Sequence, residues 1–463
     1  MTKLRWILFS ALMSITLVSC GTTEDLNNYA GETQPASVNS DIGAGNSIPY
    51  LSIPSYSRGL ETERAPMLPL GVQASKKLQA RSRDGLVRVG ILLPLSGISS
   101  DVGEQLLNAA QMALFDTAEN NFVLQPYDTR GTPEGAEQAA QLAVANGCQL
   151  LLGPVFSSSA RAVKPVAAAA NIPIIAYTTD PTIAGANVFV MGFLVHEQVR
   201  RILNFSVSQG IKKIAILAPA TPYGETAVDA AFQVFNQVGG IISKVAYYDP
   251  SGSNLDQVVK DFADYDARHN ALLRQREELE KRGDEISMIA LKRLERLDTI
   301  GDIPYDAILI PEHGGRLMEV SALLPFYDID PARVQLLGTM LWYVKGLGKE
   351  PALVGGWHPA PAIDSNLEFA KRYETFYGSS PLSIAMHGYD SVALAAVLAK
   401  VSSEELFSGS ILMSSSGFQG VDGVFRFLPS GLSERGFSVL EITREGAEII
   451  DPAPTTFQTS SSN

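Results

Sequence analysis

The stretch that decides the fold is VRVGILLPLSG, residues Val87–Gly97. Its apolar run is too short for a core helix, begins with β-branched residues and is closed by a proline, so it predicts a buried strand. A helix is predicted to follow at about 103–119. A buried strand that ends in a glycine-containing loop and leads into a helix is typical of doubly wound α/β domains. Ligands of such domains bind at the carboxyl ends of the strands, where Ser96 and Gly97 lie.

The same strand–helix alternation continues along the chain. Apolar strands are predicted at 122–127, 149–154, 172–176, 213–219, 241–248, 305–311 and 334–338. Such alternation predicts parallel sheets that are covered by helices on both faces. Because 463 residues exceed what one hydrophobic core usually holds, we expect an α/β fold of two doubly wound parallel-sheet lobes with a cleft between them.

Shifts in this pattern predict where one lobe ends and the other begins. Lobe 1 is expected to contain residues 85–193 and 339–400, and lobe 2 residues 194–338 and 401–450. The polar tail at 451–463 is expected to be disordered.

A charged insertion interrupts lobe 2 at residues 261–300, where eighteen of forty residues are charged. Leu272, Leu279 and Ile286 recur every seven residues, which predicts one or two long helices, divided near Gly283, that lie on the lobe. The insertion is either a solvated helical decoration or an element that docks a partner, and the sequence leaves both interpretations open.

The first twenty residues have the pattern of a lipoprotein signal peptide. A positively charged start precedes an apolar run at 6–18, which is shorter than the ~20 residues of a membrane-spanning helix. The sequence LVSC at 17–20 resembles a bacterial lipobox, in which Cys20 would become the lipidated first residue. The alternative is an ordinary signal peptide with a chance cysteine. Gly21, in place of aspartate, favours the outer membrane over the inner one.

Residues 21–84 are rich in serine, asparagine, glycine, threonine and proline, which predicts a disordered tether. The whole chain has a net charge of −13, which argues against a nucleic-acid partner and against electrostatic adhesion to anionic lipid. It is expected to contact the membrane through the lipid anchor. Its two cysteines, Cys20 and Cys148, cannot form a disulfide framework for the folded domain.

The sequence carries none of the common catalytic motifs. Its five histidines lack the spacing of metal ligands, and there is no Gly-x-Ser-x-Gly elbow, phosphate-binding loop or Ser-x-x-Lys nucleophile. The paired carboxylates of the insertion are best interpreted as surface ion pairs. We therefore expect a protein that is not an enzyme and that needs neither a cofactor nor a metal.

Polar residues follow several predicted strands and are the candidates for ligand binding. They are Ser96, Gly97, Ser157, Ser158, Tyr177, Thr178, Thr179, Tyr223 and Glu312. Ser157 and Ser158 also open a helix, whose free N–H groups and dipole favour a carboxylate. Thr178 and Thr179 would add hydroxyls, while Tyr223 and Glu312 would close from lobe 2. The alternative is that these residues are helix caps and turn formers.

These stretches resemble a known family. The segments GILLPLSG (90–97), GPVFSSS (153–159), IIAYTTDP (174–181) and FQGVDGVF (418–425) are similar to type I periplasmic binding proteins of the leucine/isoleucine/valine kind. The resemblance covers about residues 86–450. It implies that Ser157, Tyr177 and Thr179 face the carboxylate and amine of an amino acid, with Tyr223 and Glu312 closing from lobe 2. The disulfide of that family cannot form with Cys148 alone.

The lipobox and the charged insertion together resemble one subgroup, the penicillin-binding-protein activator lipoproteins. Some members are implicated in stimulating peptidoglycan synthases, and the best-studied ones carry a preceding helical-repeat domain, for which the tether at 21–84 is too short. The resemblance implies a non-enzymatic, lipid-anchored periplasmic protein with a peptidoglycan synthase or another envelope protein as partner. The alternative is a lipid-anchored receptor that delivers an amino acid or small amide to an ABC importer.

Overall fold

The computed structural model describes residues 85–400 and 406–457, all of which belong to one compact unit. The predicted signal peptide with Cys20, the predicted tether and the last six residues of the predicted tail lie outside the described residues.

Lobe 1 is built on parallel strands joined by helices, as the sequence pattern predicts. Its first elements are β1 (Val87–Leu93), α1 (Ser100–Thr117), β2 (Phe122–Asp128), α2 (Pro133–Ala145), β3 (Leu150–Leu152), α3 (Ser157–Ala170), β4 (Ile174–Ala176) and β5 (Val188–Val190). The strand order is β2-β1-β3-β4-β5, with every pair parallel.

Lobe 2 follows with the same alternation. Its elements are α4 (Val195–Ser208), β6 (Lys213–Pro219), α5 (Pro222–Val238), β7 (Ile241–Tyr248), α6 (Leu255–Phe262), α7 (Tyr265–Arg282), α8 (Glu285–Leu294), β8 (Ala307–Leu309), α9 (Gly314–Phe326), β9 (Gln335–Leu337) and β10 (Trp357–Ala360). The insertion forms the two helices α7 and α8, and Gly283, with a φ of 61°, ends the first of them as the sequence indicates. Its stripe does not pack on the lobe as expected, since Leu272 is buried but Ile286 is 80% exposed.

The C-terminal part of the chain contributes to both lobes. It forms α10 (Ile363–Tyr377), α11 (Ala385–Lys400), α12 (Gly409–Leu412), β11 (Phe418–Gly420), β12 (Gly423–Phe427), β13 (Ser433–Arg435), β14 (Ser438–Thr443) and β15 (Gly446–Asp451). The sheet of lobe 2 has the order β15-β14-β10-β9-β8-β6-β7, in which β14 and β15 add an antiparallel edge. Strands β11, β12 and β13 form a small antiparallel sheet.

Each face of each main sheet carries its own core. Among the described residues, four hydrophobic clusters are found, and alternate residues of one strand enter different clusters. Ile91 of β1 faces the cluster with α1 and α11, whereas Leu92 faces the cluster with α2 and α3. Alternate side chains of a strand face opposite sides of the sheet, and both sides are buried. The strands are therefore apolar at every position. The fold class of two doubly wound lobes is thereby confirmed.

The lobe boundaries differ from the expected ones in two places. Residues 339–360 are expected in lobe 1, but β10 pairs with β9 and β14 in the sheet of lobe 2. The segment 401–450 is expected in lobe 2, but the buried apolar residues between 406 and 427 pack mainly in the core of lobe 1. Both differences arise because β10 follows β9 without an intervening α-helix and β11–β13 form a small antiparallel sheet, so neither segment shows the strand–helix alternation.

The described residues of the tail are also placed. Asp451 ends β15, and the N–H of Ala453 donates to Ser438 Oγ at 3.2 Å. The ring of Phe457 lies 4.6 Å from the guanidinium of Arg426. Residues 451–457 are therefore packed, in contrast to the disorder expected for them.

Within the described residues, the chain passes between the lobes at three crossovers, residues 191–194, 361–362 and 436–437. No helix in that part of the chain is both long and apolar enough to span a bilayer.

Candidate functional site

The loop after β1 is fixed by an acid at the end of the neighbouring strand β2. Ser96 Oγ donates to Asp128 Oδ2 at 2.5 Å, and the N–H of Leu95 donates to Asp128 Oδ1 at 2.9 Å. Gly97 has a φ of 84°, a conformation that favours glycine. Ser96 and Gly97 are exposed at the strand ends, but the hydroxyl of Ser96 already donates to Asp128. Asp128 is the residue that the sequence reasoning missed.

The start of helix α3 is the part of lobe 1 best suited to an anion. Ser157 and Ser158 are half-buried at its first turn, and the N-cap residue Phe156 supplies no side-chain hydrogen bond to that turn. Ser159 is fully buried, and its Oγ has no hydrogen-bond partner among the described residues. The first N–H groups of this helix are therefore open to a carboxylate.

Tyr177 points into the core of lobe 1. It is 1% exposed, and its hydroxyl shares a hydrogen bond of 2.7 Å with Ser391 Oγ on α11. The side chain continues the alternation of Ile175, which faces the same cluster. Tyr177 is thus turned towards α11, away from the position that the family resemblance implies for a contact with an amino acid.

The two threonines after Tyr177 differ from each other. Thr178 is buried, and its Oγ1 accepts a hydrogen bond of 3.1 Å from the N–H of Asp180, which makes it a turn former. Thr179 is exposed and lies beside Gly192, where a Cβ atom would come within 3.0 Å of its methyl group.

We expect Tyr177→Phe to lower the free energy of unfolding by about 1 kcal/mol, the usual cost of one neutral hydrogen bond, because the buried hydrogen bond to Ser391 Oγ would be lost. Urea unfolding measures this change. The matched variant Thr179→Val should change the free energy of unfolding little, since Thr179 is exposed. A larger loss for Thr179→Val than for Tyr177→Phe would contradict this assignment.

Tyr223 belongs to a closed hydrogen-bond network on the cleft side of lobe 2. Its hydroxyl donates to Thr339 Oγ1 at 2.9 Å, while Gln198 Oε1 accepts from the N–H of Met340 at 3.0 Å. Gln198 Nε2 in turn donates to the carbonyl of Phe193 in the first crossover at 3.0 Å. Burial raises the pKa of Tyr223, so its hydroxyl stays protonated. The network joins the loop after β9 to the first crossover.

Glu312 is engaged in a second network of the same lobe. Its carboxylate accepts from Tyr248 Oη at 2.6 Å and from the N–H of His313 at 2.9 Å, and its carbonyl accepts from Trp342 Nε1 at 3.1 Å. Burial opposes ionisation, but the hydrogen bonds from His313 and Tyr248 outweigh it and lower the pKa of Glu312. The same contact raises the pKa of His313. Glu312 is therefore a buried, ionised side chain that already has its partners.

The candidate residues of the two lobes are not joined. Among the described residues, no hydrogen bond links Ser96, Ser157 or Thr179 to Tyr223 or Glu312. A cavity of about 80 Å³ does open between the lobes, but its lining contains none of the candidate residues. The lining residues are Met340, Tyr343, Pro361, Asn366, Phe369, Ala370, Pro381, Ser383 and Met386.

A buried ionisable cluster lies where the three crossovers meet, and the sequence reasoning missed it. Its members are His387, Asp390, Asp422 and Arg435, each at most 4% exposed. His387 Nδ1 lies 3.8 Å from Asp422 Oδ2, and Asp390 Oδ1 accepts from the N–H of Val421 at 2.8 Å. The signal available in the sequence was Asp390, a charged residue inside the otherwise apolar helix α11.

This ionisable cluster connects the crossovers to one another. Arg435 Nη2 donates to the carbonyl of Met191 in the first crossover at 2.9 Å, and its guanidinium lies 4.9 Å from the ring of Phe193. The carbonyl of Asp422 accepts from the N–H of Ala362 in the second crossover at 3.3 Å. Arg435 itself directly precedes the third crossover.

The charges of this cluster are set by burial. Burial raises the pKa of Asp390 to about 6 and that of Asp422 to about 7; the charge of Asp390 adds to the rise at Asp422, and Arg435 opposes both shifts. Burial, followed by the charge of Arg435, lowers the pKa of His387 well below its usual value. At neutral pH the histidine is neutral, and burial favours the protonated form of Asp422 more than it would be favoured in an exposed aspartate.

We expect the stability difference between Asp422→Asn and the wild type to depend on pH. The raised pKa of Asp422 means that the folded state binds this proton more tightly, so stability is lost as the pH rises through about 7. Asparagine cannot lose that proton, so the variant should gain about 1 kcal/mol relative to the wild type between pH 6 and 8. Urea unfolding at several pH values measures this gain.

The control is the exposed variant Asp302→Asn, whose stability difference from the wild type should not vary over that range. Because the histidines titrate in all three proteins, they cancel from the comparison. A difference for Asp422→Asn that is independent of pH would contradict the prediction.

Within the described part of the chain, no group of three or more histidine, cysteine, aspartate or glutamate side chains is arranged to hold a metal ion. Cys148 is buried there with a free thiol, and burial raises its pKa to about 11.

Comparison with known proteins identifies other proteins with a similar fold. Residues 86–273 match the sequence profile of the periplasmic binding protein family. A Rhodospirillum rubrum protein assigned to branched-chain amino acid ABC transport has a similar structure, with a TM-score of 0.62, 17% identity and coverage of 79% of this chain and 100% of that one. A substrate-binding protein from Desulfitobacterium hafniense in complex with Leu gives a TM-score of 0.52 at 18% identity, over 79% and 99% of the two chains.

Two curated relatives match part of the chain. An uncharacterised protein of Rickettsia prowazekii is 25% identical over 178 residues, which are 38% of this chain and 47% of that protein. The penicillin-binding protein activator LpoA of Glaesserella parasuis is 23% identical over 185 residues, which are 39% of this chain and 30% of the activator. The chain thus spans less than half the length of the curated relatives that it matches. The type I periplasmic binding protein fold is confirmed.

Proposed function

We propose that this chain, which has the type I periplasmic binding protein fold, is a non-enzymatic lipoprotein that acts on peptidoglycan synthesis through a protein partner. The proposed partner is a penicillin-binding protein, as the name of the LpoA relative states for that protein. One observation carries the proposal. The side chains expected to bind a small ligand mostly bind their own lobe instead.

Three of these side chains support this interpretation most clearly. Tyr177 is bound to Ser391, Tyr223 to Thr339, and Glu312 to Tyr248. In a receptor for a polar solute, such groups are available to bind the ligand. A group that must first break a hydrogen bond within the protein lowers the affinity for the ligand. Because these side chains already have partners, we interpret them as structural residues and not as ligand-binding residues. The exposed helices α7 and α8 then remain as the element that can meet another protein.

Peptidoglycan synthesis by purified penicillin-binding proteins of the same organism tests the proposal. We expect the full-length protein to raise the rate of at least one of them severalfold. Replacing residues 273–297 by a short glycine–serine linker should remove the effect, whereas the exposed variant Phe376→Ser on α10 should retain it. An unchanged rate with every penicillin-binding protein of the organism would contradict the proposed function.

A second candidate function is that of a lipid-anchored receptor for an amino acid or small amide. It is favoured by the start of α3, where Ser159 Oγ is buried without a partner among the described residues. A carboxylate at this helix end would meet free N–H groups. The structural neighbour that binds Leu has the same overall fold. This function predicts that such a ligand stabilises the protein.

The lipid anchor is part of the proposal, and Cys20 is the residue proposed to carry it. We expect the wild-type protein to incorporate labelled palmitate and to fractionate with the membranes, the outer one in particular because Gly21 follows the cysteine. Cys20→Ala should abolish both properties, while Cys148→Ala should change neither, since that thiol is buried. A Cys20→Ala variant that still incorporates palmitate would contradict the anchor.

A further inference from the structure

The outer part of the insertion stands apart from the cores of the protein. At its base, Tyr265 packs against Tyr327 with ring centroids 5.4 Å apart, and Arg268 forms an ion pair of 3.1 Å with Asp328. Beyond the buried Leu272, none of residues 273–297 belongs to any of the four hydrophobic clusters. This segment is therefore free to present its side chains to another molecule.

Helix α8 exposes several large apolar side chains. Ile286 is 80% exposed, Met288 58% and Ile289 53%, and Leu273 and Leu297 are exposed nearby in sequence. Five of the eighteen exposed large apolar side chains of the described residues thus fall within 25 residues. Ile286 and Ile289 are one helical turn apart and share a face of α8. Such a concentration indicates an interaction surface more than chance exposure does.

Unpaired cations lie beside these apolar residues. Lys292, Arg293 and Arg296 are exposed, and none of them forms a side-chain hydrogen bond or an ion pair with the described residues. Arg293 is four residues after Ile289 and therefore lies on the same face of α8. By contrast, Lys281 on α7 pairs with Glu277 at 2.6 Å. In a chain with a net charge of −13, three unpaired cations within five residues, with Glu295 as the one carboxylate between them, are a local exception.

The other face of α8 is held against α7. Ser287 is buried there, and Arg276 of α7 donates to the carbonyl of Leu297 at 3.0 Å and to that of Leu294. The orientation of α8 is thus fixed, and its outer face is presented in a defined direction.

We infer that this outer face, the α8 surface, docks an amphipathic helix of a partner protein that carries carboxylates beside its apolar stripe. The α8 surface consists of Ile286, Met288, Ile289, Lys292, Arg293 and Arg296. The inference rests on the proposed function, in which a protein partner acts with the chain, and it names the chemistry that the partner must present. Apolar side chains at helical spacing suit a second helix, and the free cations select acidic flanks.

Two other occupants fit the charges less well. A symmetric dimer through this surface would bring Lys292, Arg293 and Arg296 of one copy against the same residues of the other, which like-charge repulsion disfavours. Three cations on a strongly acidic body would also be drawn only weakly to anionic lipid. An acidic helix satisfies both the apolar and the charged part of the surface.

Binding of synthetic peptides to the full-length protein tests the inference by fluorescence anisotropy. The probe is a 20-residue helical peptide with leucine at i, i+3, i+4 and i+7 and glutamate flanking the leucine stripe. A matched peptide carries lysine in place of glutamate. We expect the wild type to bind the glutamate peptide at least about tenfold more tightly than the lysine peptide.

Two sets of variants separate the apolar from the charged contribution. Ile286→Ser with Ile289→Ser should weaken binding of the glutamate peptide by about tenfold or more, because each isoleucine loses its burial. Lys292→Glu, Arg293→Glu and Arg296→Glu combined should reverse the preference between the two peptides. The matched controls are Leu367→Ser with Phe376→Ser, and Lys212→Glu with Lys345→Glu and Arg444→Glu; these should bind as the wild type does.

Several results would overturn the inference. The inference fails if the wild type does not bind the glutamate peptide, or if the α8 variants bind it as the wild type does. It also fails if phosphatidylglycerol vesicles bind through these residues, or if ultracentrifugation shows a dimer that the α8 variants dissociate. If the α8 variants still stimulate penicillin-binding proteins as the wild type does, the inference fails and the proposed function stands. If the wild type stimulates none of them, the proposed function fails independently of the peptide result.

Discussion

Replacing Arg435 by methionine is expected to lower the free energy of unfolding by about 3–5 kcal/mol, the usual cost of removing one partner from a buried charge cluster. Arg435 is 4% exposed and supplies the positive charge near Asp390 and Asp422, both of them buried. Without it, the two buried carboxyl groups would keep their hydrogen bonds from the N–H of Val421 and from Asn366 but would have no compensating positive charge. The hydrogen bond to Met191 in the first crossover would be lost as well.

A compensating variant separates the effect of charge from that of packing. In Arg435→Met combined with Asp390→Asn and Asp422→Asn, no charge remains to be neutralised, so we expect much of the lost stability to return. Urea unfolding at pH 8, where Asp422 is ionised in the wild type, gives the largest difference. If the compensating variant is as unstable as Arg435→Met alone, the loss comes from packing and the electrostatic account is wrong.

The second large effect on stability is expected at Trp342, which lies in the core of lobe 2. Trp342→Ala should lower the free energy of unfolding by about 3–5 kcal/mol, as found for large aromatic side chains deleted from cores. The indole is 1% exposed and covers Gly338 and Gly356, where an added Cβ would lie 2.1 Å and 2.9 Å from its ring atoms. The carbonyl of Glu312 would also lose the indole N–H.

Trp342→Phe is the matched control for this variant. Phenylalanine fills most of the volume but cannot donate to the carbonyl of Glu312, so we expect a loss of about 1–3 kcal/mol, clearly smaller than for alanine. Equal losses for the two variants would show that the hydrogen bond, and not the packing, dominates. A loss below 1 kcal/mol for Trp342→Ala would contradict the core role of the indole.

The strand–helix framework could be predicted because its signal is local. A strand such as β1 is buried on both faces and therefore apolar at every position, and the glycine loop after it is visible within a few residues. The helical insertion was visible through its charge, but the spacing of Leu272, Leu279 and Ile286 did not predict its packing, because Ile286 lies beyond the break at Gly283 and is exposed. The lobe boundaries were not visible, because β10 and β14 pair over a separation of about eighty residues.

The candidate site was less predictable, since residue type and position after a strand do not fix the direction of a side chain. Tyr177 and Glu312 each lie just past a strand and continue its alternation, so their side chains point into the protein. There Tyr177 forms a hydrogen bond with Ser391, and Glu312 forms one with Tyr248. Ser96 does lie exposed at the strand ends, but its partner Asp128 comes from a different strand. The ionisable cluster joins residues from α11, the β11–β12 turn and β13, which no local pattern connects.

The measurement that tests the central claim most directly is a thermal-shift screen of the full-length protein with the twenty amino acids, their small amides and simple aromatic carboxylates. Because the cleft side chains already have partners, we predict a shift of less than about 1 °C for each compound at millimolar concentration. A bound ligand at ~100 times its Kd would stabilise the protein by about 2.7 kcal/mol and raise the Tm by several degrees. Such a rise, abolished by Ser157→Ala or Thr179→Ala, would contradict the account and identify the protein as a solute receptor.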